Sequence, residues 1–216
     1  MEENSQERLI DGKLISSQIK EEIKAETEKL KSEKGITPGL AFILVGEDPA
    51  SVVYVRSKGK ACEELGFHSV TEKLPDTTTE IELLTLIDKF NNDPSIHGIL
   101  VQLPLPKHIN EENVLERISY KKDVDGFHPQ NIGRLVVGAN SFIPCTPYGI
   151  TELLTRSGVD TRGKDVVVVG RSNIVGKPVA NLLLKKQFNS TVTVCHSATK
   201  DLADHTRRAD IIVAAK

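Results

Sequence analysis

The chain has 216 residues, of which 38% are hydrophobic, so it is long enough to bury one large core or two small ones. Its net charge of -2 and its aromatic content of 4%, without tryptophan, argue against binding to nucleic acid or to an anionic membrane. No apolar run approaches the ~20 residues that a transmembrane helix requires.

The cysteines and the opening residues indicate a reducing, cytoplasmic environment. Cys62, Cys145 and Cys195 are odd in number, far apart in the sequence and without CxxC spacing. We therefore expect neither a disulfide framework nor a bound structural metal. The opening segment, MEENSQERLI, has no signal-peptide or transit-peptide composition, so we expect no targeting segment there.

Helical and extended patterns alternate from the start of the chain. A helix with Ile15 and Ile19 on its apolar stripe is predicted to end at Gly35. The apolar segment LAFILVG predicts a buried strand over residues 40–46, and an amphipathic helix follows over residues 51–66.

The same alternation continues through the next elements. Thr79 and Glu82 have the spacing of a capping box, and the helix that they begin is expected to stop before Pro94. A second buried strand is predicted over residues 97–106. The first part thus has a β-α-β-α-β pattern, which predicts a three-layer α/β domain with a mainly parallel sheet.

A proline-rich segment, FIPCTPYG, separates two parts of the chain. We place a domain boundary there, between residues 1–143 and residues 144–216. Thr146 is expected to cap a helix whose first residue is Pro147.

The second part resembles a nucleotide-binding domain in its order of elements. Strands are predicted over residues 164–170, 190–197 and 210–215, with helices between them. Three strands make a mononucleotide-binding half, whereas a complete dinucleotide domain has about twice that number. We therefore expect a Rossmann-like domain that is incomplete at its C-terminal end.

A glycine turn follows the first of these strands, in the segment VVVVGRSNIVGKP. Gly170 and Gly176 leave the backbone N–H groups near a helix start accessible to a phosphate. Ser172 occupies the middle glycine position of the usual GxGxxG pattern. An ordinary turn between a strand and a helix is the alternative.

The next strand bears on which cofactor is bound. NAD enzymes usually present a carboxylate about 20 residues after the turn, but here the strand ends in His196 and Ser197. Arg171, within the turn, suits the 2′-phosphate of NADP. A solvated loop arginine is the alternative.

The helix over residues 51–66 carries a lysine on its inward face. At ~100° per residue, Arg56 falls on the solvent arc and Val55 on the opposite arc. Lys58 lies near the middle of the inward arc, one turn after Tyr54. Partial burial favours the neutral amine and hence proton transfer, whereas a lysine that extends along an apolar surface to water is the alternative.

Two further polar residues converge on the same region. Gln102 follows a buried strand, at the carboxyl edge where such sheets build sites. Asp125 precedes a glycine in the loop KKDVDGFHP. Taken singly, Gln102 can be a strand-end residue and Asp125 a turn former.

These residues lie in motifs that resemble the bifunctional methylenetetrahydrofolate dehydrogenase/methenyltetrahydrofolate cyclohydrolase family. The resemblance runs through the whole chain and is strongest in five segments that occur in order: VGEDPASVVYVRSKGKACEELG, GILVQLPLP, KDVDGFHPQNIGRL, FIPCTPYGI and VVVVGRSNIVGKPVANLLL.

The resemblance implies roles for individual residues. Lys58 would be the proton-transfer group, Tyr54 would pack on the folate, Gln102 would support Lys58, and Asp125 would anchor the pterin ring. The substrate-binding set is expected to comprise these four residues with Ser51, Val55, Arg56, Ser57, Val101 and Leu103. The cofactor-binding set is expected to comprise Thr146, Gly170, Arg171, Ser172, Ile174, Val175 and Ser197.

The implied reaction is oxidation of 5,10-methylenetetrahydrofolate with NADP⁺, followed by hydrolysis to 10-formyltetrahydrofolate, within one-carbon metabolism. The partners would be tetrahydrofolate derivatives and a second copy of the chain, joined through the nucleotide-binding domains. Family members continue past the last predicted strand, so parts of both pockets are expected to be missing here. The alternatives are an enzyme with one of the two activities, or an inactive folate-binding, NADP-binding or assembly module.

Overall fold

Two parallel sheets organise the protein in the computed structural model, which describes residues 9–215. Residues 1–8, most of the segment in which no targeting signal is expected, and Lys216 lie outside the described residues. Within residues 9–215, no helix is long and apolar enough to cross a membrane.

The first part of the chain alternates helices and strands. Its elements are α1 (Gly12–Lys34), β1 (Gly39–Val45), α2 (Pro49–Glu64), β2 (His68–Leu74), α3 (Glu80–Asn92), β3 (Gly98–Val101), α4 (Glu111–Arg117) and α5 (Pro129–Val136). The strands form a parallel sheet in the order β2-β1-β3.

The second part repeats this alternation. Its elements are α6 (Cys145–Arg156), β4 (Asp165–Val169), α7 (Gly176–Leu183), β5 (Thr191–Cys195), α8 (Leu202–Arg207) and β6 (Ile211–Ala214). The strands form a second parallel sheet in the order β5-β4-β6. The α/β class and the parallel sheets that the sequence predicts are therefore confirmed.

Helices cover both faces of the first sheet. Phe42 and Leu44 of β1 pack on one face against Val55 and Cys62 of α2. Their neighbours in β1 point to the other face, where Ile43 packs in a cluster with residues of α3 and α4. Because successive side chains of a strand point to opposite faces, an all-apolar strand fills both cores at once.

Local capping signals are confirmed by the structure. Gly35 ends α1 with a φ of 65°, in the left-handed region that favours glycine. Thr79 and Glu82 form a complete capping box at the start of α3, and the last residue of that helix precedes Pro94 by two positions.

Two predicted boundaries are wrong, in both cases near prolines. The strand predicted over residues 97–106 ends at Val101, because Pro104 and Pro106 have no N–H to continue the ladder. Thr146 does not cap α6, which begins at Cys145, two residues before the predicted start at Pro147, with Pro144 at the N-cap position. Pro147 therefore lies within the first turn, where its missing N–H leaves no intrahelical bond unmade.

An ion pair connects the first helix to the second part of the chain. Arg156 of α6 donates to both carboxylate oxygens of Glu22 in α1, at 2.7 Å each. It also donates to Glu152, one turn earlier in α6, at 2.8 Å. The bidentate geometry fixes the guanidinium and hence the position of α1 on α6.

The core beneath the first sheet supplies a test of stability. Leu83 of α3 is fully buried, so we expect Leu83→Ala to lower the free energy of unfolding by roughly 2–5 kcal/mol in urea unfolding. Ile81→Ala on the same helix is the control, because that side chain is 77% exposed. Equal losses in both variants would contradict the assigned packing of α3.

Candidate active site

The candidate site lies at the carboxyl edge of the first sheet. Lys58 is on α2, which follows β1, and Gln102 comes directly after β3. A short parallel bridge between Ile99 and Asp123 adds a further segment to this sheet, and Asp125 follows it. Three parallel segments therefore deliver Lys58, Gln102 and Asp125 to one edge, where α/β sheets build their sites.

A hydrogen bond joins the lysine to the glutamine. Lys58 is half-buried, and its Nζ donates to Oε1 of Gln102 at 3.2 Å. The amide nitrogen of Gln102 donates to the carbonyl of Leu103 at 2.7 Å, so the amide oxygen faces the lysine. The amine thus has a fixed protein partner, which a lysine that merely extends along an apolar surface to water lacks.

Asp125 carries the most perturbed carboxyl group of this region. Burial raises its pKa to about 6, and the nearby charge of Asp123 adds to the increase, while the charge of Lys58 opposes it. Lys58 and Asp125 therefore share one electrostatic environment. Near neutral pH this carboxylate is charged but easily protonated, as in many functional sites.

Asp123, which was not among the predicted site residues, holds the loop around Asp125. Asp123 is 2% exposed, and its carboxylate accepts the backbone N–H groups of Phe127 and His128 at 3.3 and 2.9 Å. It also accepts the side-chain N–H of Asn131 at 2.8 Å. The first aspartate of the DVDG segment was the available signal, but its partners follow only from the fold.

Ser51 and Tyr54 lie on α2 before the lysine. Ser51 is buried, and its hydroxyl makes a long contact of 3.5 Å with the carbonyl of Leu103, next to Gln102. Tyr54 is 61% exposed, so its ring is free to lie against a ligand. Leu103 is half-buried and links Ser51 with Gln102 through its carbonyl.

The other predicted substrate residues fall into two groups. Val55 and Val101 are 3% and 2% exposed and pack in the core, so their side chains face the protein interior. Arg56 and Ser57 are exposed on α2. Their assignment to substrate binding stays a prediction.

Cys145, at the start of α6, approaches the same region and was not among the predicted site residues. Its Sγ contacts the carbonyl of Val124 at 3.5 Å. Cys145 is exposed as a residue, but desolvation by the surrounding protein atoms raises the pKa of its thiol, and the charge of Asp125 raises it further. The thiol therefore stays protonated at neutral pH, beside the carboxylate.

The second predicted site is the glycine turn after β4. Gly170 has a φ of 134°, and a Cβ there would lie 1.9 Å from the carbonyl oxygen of Ala215. A Cβ on Gly176 would lie 2.2 Å from the carbonyl oxygen of Gly170. Both glycines are thus required for the tight approach of strand, turn and helix.

Ser172 organises this turn. Its hydroxyl accepts the N–H groups of Val175 and Gly176 at 3.1 and 3.3 Å. These donors belong to the start of α7, where N–H groups have no partner within the helix, and the serine hydroxyl satisfies two of them. The serine in place of the middle glycine therefore orders the turn from within.

The exposed side chains around the turn fit an anionic dinucleotide. Arg171 and Ser197 are exposed and follow the carboxyl ends of β4 and β5, which are adjacent strands. Ile174 is 42% exposed and Val175 is half-buried, so both can contact a flat apolar ring. Thr146 is exposed at the start of α6. A guanidinium and a hydroxyl at this edge match the donors that a 2′-phosphate requires.

The sequence matches two family models in the same order. The model described as "Tetrahydrofolate dehydrogenase/cyclohydrolase, catalytic domain" matches residues 10–125, and the "NAD(P)-binding domain" model of the same family matches residues 144–216. The chain belongs to the tetrahydrofolate dehydrogenase/cyclohydrolase family. Within this family, the chain is 62% identical over 207 residues to the bifunctional protein FolD 2 of Geobacter metallireducens, covering 96% of this chain and 72% of that protein.

Solved structures of the tetrahydrofolate dehydrogenase/cyclohydrolase family have the same fold. The bifunctional FolD enzyme of Campylobacter jejuni aligns with a TM-score of 0.93 at 53% identity, covering 96% of this chain and 73% of that one. The FolD enzyme of Trypanosoma brucei, solved with NADP cofactor and inhibitor, aligns with a TM-score of 0.90 at 41% identity, over 96% of this chain and 71% of that one. These alignments span both sheets.

The raised pKa of Asp125 predicts a pH-dependent effect on stability. The folded chain binds a proton at this carboxyl up to about pH 6, whereas the unfolded chain releases it near the ordinary value of 3.8. Folding stability from this group therefore falls as pH rises through that window. We expect Asp125→Asn to raise the free energy of unfolding by roughly 1–3 kcal/mol at about pH 8 and by less at about pH 4.5.

Urea unfolding of the variant and wild type at both pH values measures this difference. Asp76→Asn serves as the control, because Asp76 is exposed. A stability difference that is the same at both pH values would contradict the assigned burial of the Asp125 charge.

Proposed function

We propose that the chain is a bifunctional folate enzyme, which oxidises 5,10-methylenetetrahydrofolate with NADP⁺ and hydrolyses the 5,10-methenyl product to 10-formyltetrahydrofolate. The observation that carries this proposal is the Lys58–Gln102 hydrogen bond of 3.2 Å beside Asp125, in a chain of this family. The similar proteins of G. metallireducens and C. jejuni bear the name of the bifunctional enzyme, which supports both activities.

Asp125 recognises the pterin ring in this proposal. The ring presents two adjacent N–H donors on its amino-pyrimidine edge, and a carboxylate accepts such a pair side by side. Tyr54, with its exposed ring, packs on the folate. Ser51 and Leu103 support the wall that carries Gln102. The exposed Arg56 and Ser57 complete the substrate-binding set that we propose, and Val55 and Val101 support it from the core.

Lys58 transfers protons during hydrolysis. Water adds to the cationic methenyl carbon and loses two protons in all, one released to solvent and one carried to a ring nitrogen as the bond between that nitrogen and the carbon breaks. The Lys58 amine, oriented by Oε1 of Gln102, is placed to shuttle this proton. In the oxidation step, the same amine orients the folate and does not enter the redox chemistry.

The glycine turn holds NADP, which supplies the hydride acceptor when it is bound. Gly170, Ser172 and the start of α7 would hold its phosphates, and Arg171 with Ser197 would hold the 2′-phosphate. The rest of the NADP molecule would contact Ile174, Val175 and Thr146. The trypanosome relative was solved with NADP, which supports this cofactor over NAD.

We also propose a cytoplasmic homodimer with a domain boundary between residues 143 and 144. The exposed Ile212 and Val194 of the second sheet, at 53% and 38%, supply apolar surface for a joint between nucleotide-binding domains. The net charge of -2 supports the absence of a nucleic-acid partner.

Lys58→Met tests the proton-transfer role. We expect the hydrolysis of methenyltetrahydrofolate to fall by roughly 10²-fold or more, because general acid–base catalysis contributes about that factor. Loss of methenyl absorbance measures the rate. Lys60→Met on the same helix is the control, because that side chain is 76% exposed. Full hydrolysis by the Lys58 variant would remove this residue from its role.

An activity assay of the wild-type chain tests the proposed function as a whole. NADP-dependent oxidation of methylenetetrahydrofolate by the purified chain is the expected result. Retained binding of folate or NADP without turnover would instead favour a binding or assembly module.

Arg171→Ala tests whether this arginine sets the preference for NADP over NAD. We expect the preference for NADP over NAD to narrow by roughly tenfold, because a charge-assisted bond to the 2′-phosphate is lost. The ratio of kcat/KM for the two cofactors measures it, with the exposed Arg162→Ala as control. An unchanged ratio would mean that other residues bind the 2′-phosphate.

A further inference from the structure

Asp123 is a buried carboxylate that the proposed mechanism does not use. It is 2% exposed, yet three N–H groups point at it. They come from the backbone of Phe127 and His128 and from the side chain of Asn131, at 3.3, 2.9 and 2.8 Å. These three donors replace hydrogen bonds that the buried carboxylate would otherwise make with water.

The backbone of Asp123 ties the loop to the sheet. It forms a parallel bridge with Ile99 of β3, whose N–H donates to the carbonyl of Lys122 at 2.7 Å. The carbonyl of Asp123 accepts the N–H of Gly126 at 3.2 Å, which closes a turn around Asp125.

The far side of this turn is also confined. A Cβ on Gly126 would lie 2.7 Å from the backbone of Ile143 and Pro144, and φ at Gly126 is 69°. The loop is thus held between the edge of the sheet and the segment that enters α6. Asp125 has little freedom to move while the bonds of Asp123 are intact.

Charged and titratable groups reach Asp125 from three directions. Lys58 approaches from α2, Cys145 from the start of α6, and Asp123 from the loop itself. The neighbouring Lys122 points away, because its Nζ donates to the carbonyls of Phe90 and Asp93 at 2.9 and 2.8 Å. His128 faces Asp123 with its backbone N–H, while its ring accepts the N–H of Gln130.

We propose that Asp123 is a positioning residue for folate binding, because its buried carboxylate fixes the turn that presents Asp125 and places a negative charge beside it. The inference rests on the proposed function, since it assumes that Asp125 binds the pterin ring. Asp123 touches neither substrate nor cofactor and acts only through Asp125. It therefore affects how tightly folate binds and at which pH, and leaves proton transfer by Lys58 intact.

Asp123→Asn tests this role, because it keeps the shape and removes the charge. At about pH 8, we expect KM for the folate substrate to rise roughly tenfold, the effect of misaligning one charge-assisted hydrogen bond. We expect kcat for hydrolysis and KM for NADP to stay within about twofold, because Lys58, Gln102 and the glycine turn are unchanged.

The pH profile separates positioning from simple loosening of the fold. In wild type, KM for folate should increase as pH falls through about 6, where Asp125 takes up a proton. In Asp123→Asn, this increase should shift to lower pH, since a charge that favours protonation of Asp125 is gone. NMR titration of the Asp125 carboxyl in the ligand-free chain should report the same shift.

Lys122→Met is the matched control. It breaks two bonds that anchor the same loop but alters no group that faces Asp125. We expect it to lower the free energy of unfolding and to leave the titration of Asp125 unchanged. The proposal is overturned if Asp123→Asn leaves that titration unchanged, if Lys122→Met reproduces the shift, or if kcat falls as much as KM rises.

The two proposals fail in different ways in this experiment. Wild-type turnover and folate binding decide the proposed function. The titration of Asp125 without ligand, and the ratio of variant to wild-type KM, decide the role of Asp123.

Discussion

A parallel sheet brings the carboxyl ends of its strands to a single edge, and the candidate site depends on this constraint. β1 leads into α2 and Lys58, and β3 leads directly to Gln102. The bridge between Ile99 and Asp123 extends the same rule to a loop, since it makes Asp125 follow a third parallel segment. Lys58, Gln102 and Asp125 meet because the strand segments that precede them run in the same direction. The glycine turn obeys the same rule in the second sheet.

The candidate site also lowers the stability of the folded chain. Asp125 is held where burial favours its protonated form, although the pterin recognition that we propose requires its charged form. The nearby Lys58 offsets part of that energetic cost, and its own amine depends on an amide oxygen of Gln102. Because these groups are only partly paired with one another, each keeps bonding capacity for a ligand. A fully satisfied network would be more stable but would leave nothing to bind substrate.

Local signals in the sequence predict what local interactions decide. The capping box of Thr79 and Glu82 and the left-handed Gly35 involve neighbours in the chain, and both are confirmed. The sequence did not predict the residues of β2, because β2 is an edge strand whose side chains alternate between half-buried and exposed. The cap assigned to Thr146 was wrong, because a proline is tolerated anywhere in the first helical turn.

The candidate site was predictable in its residue types and less so in its geometry. The helical periodicity placed Lys58 inward, but its bond to Gln102 joins residues 44 positions apart. Asp123 stands two residues before Asp125 in the sequence, yet its importance comes from Asn131 and from a bridge to Ile99. Such pairings depend on sheet register and loop closure, which a single sequence does not display. The residue roles themselves follow from the family resemblance.

The ion pair between Glu22 and Arg156 has a consequence for how the protein is made. The two residues are 134 positions apart, so α1 leaves the ribosome long before α6, the helix on which it docks. Until then Glu22 lacks this partner. Synthesis order thus delays this contact of the earliest helix until α6 has emerged, and so couples the assembly of the two halves.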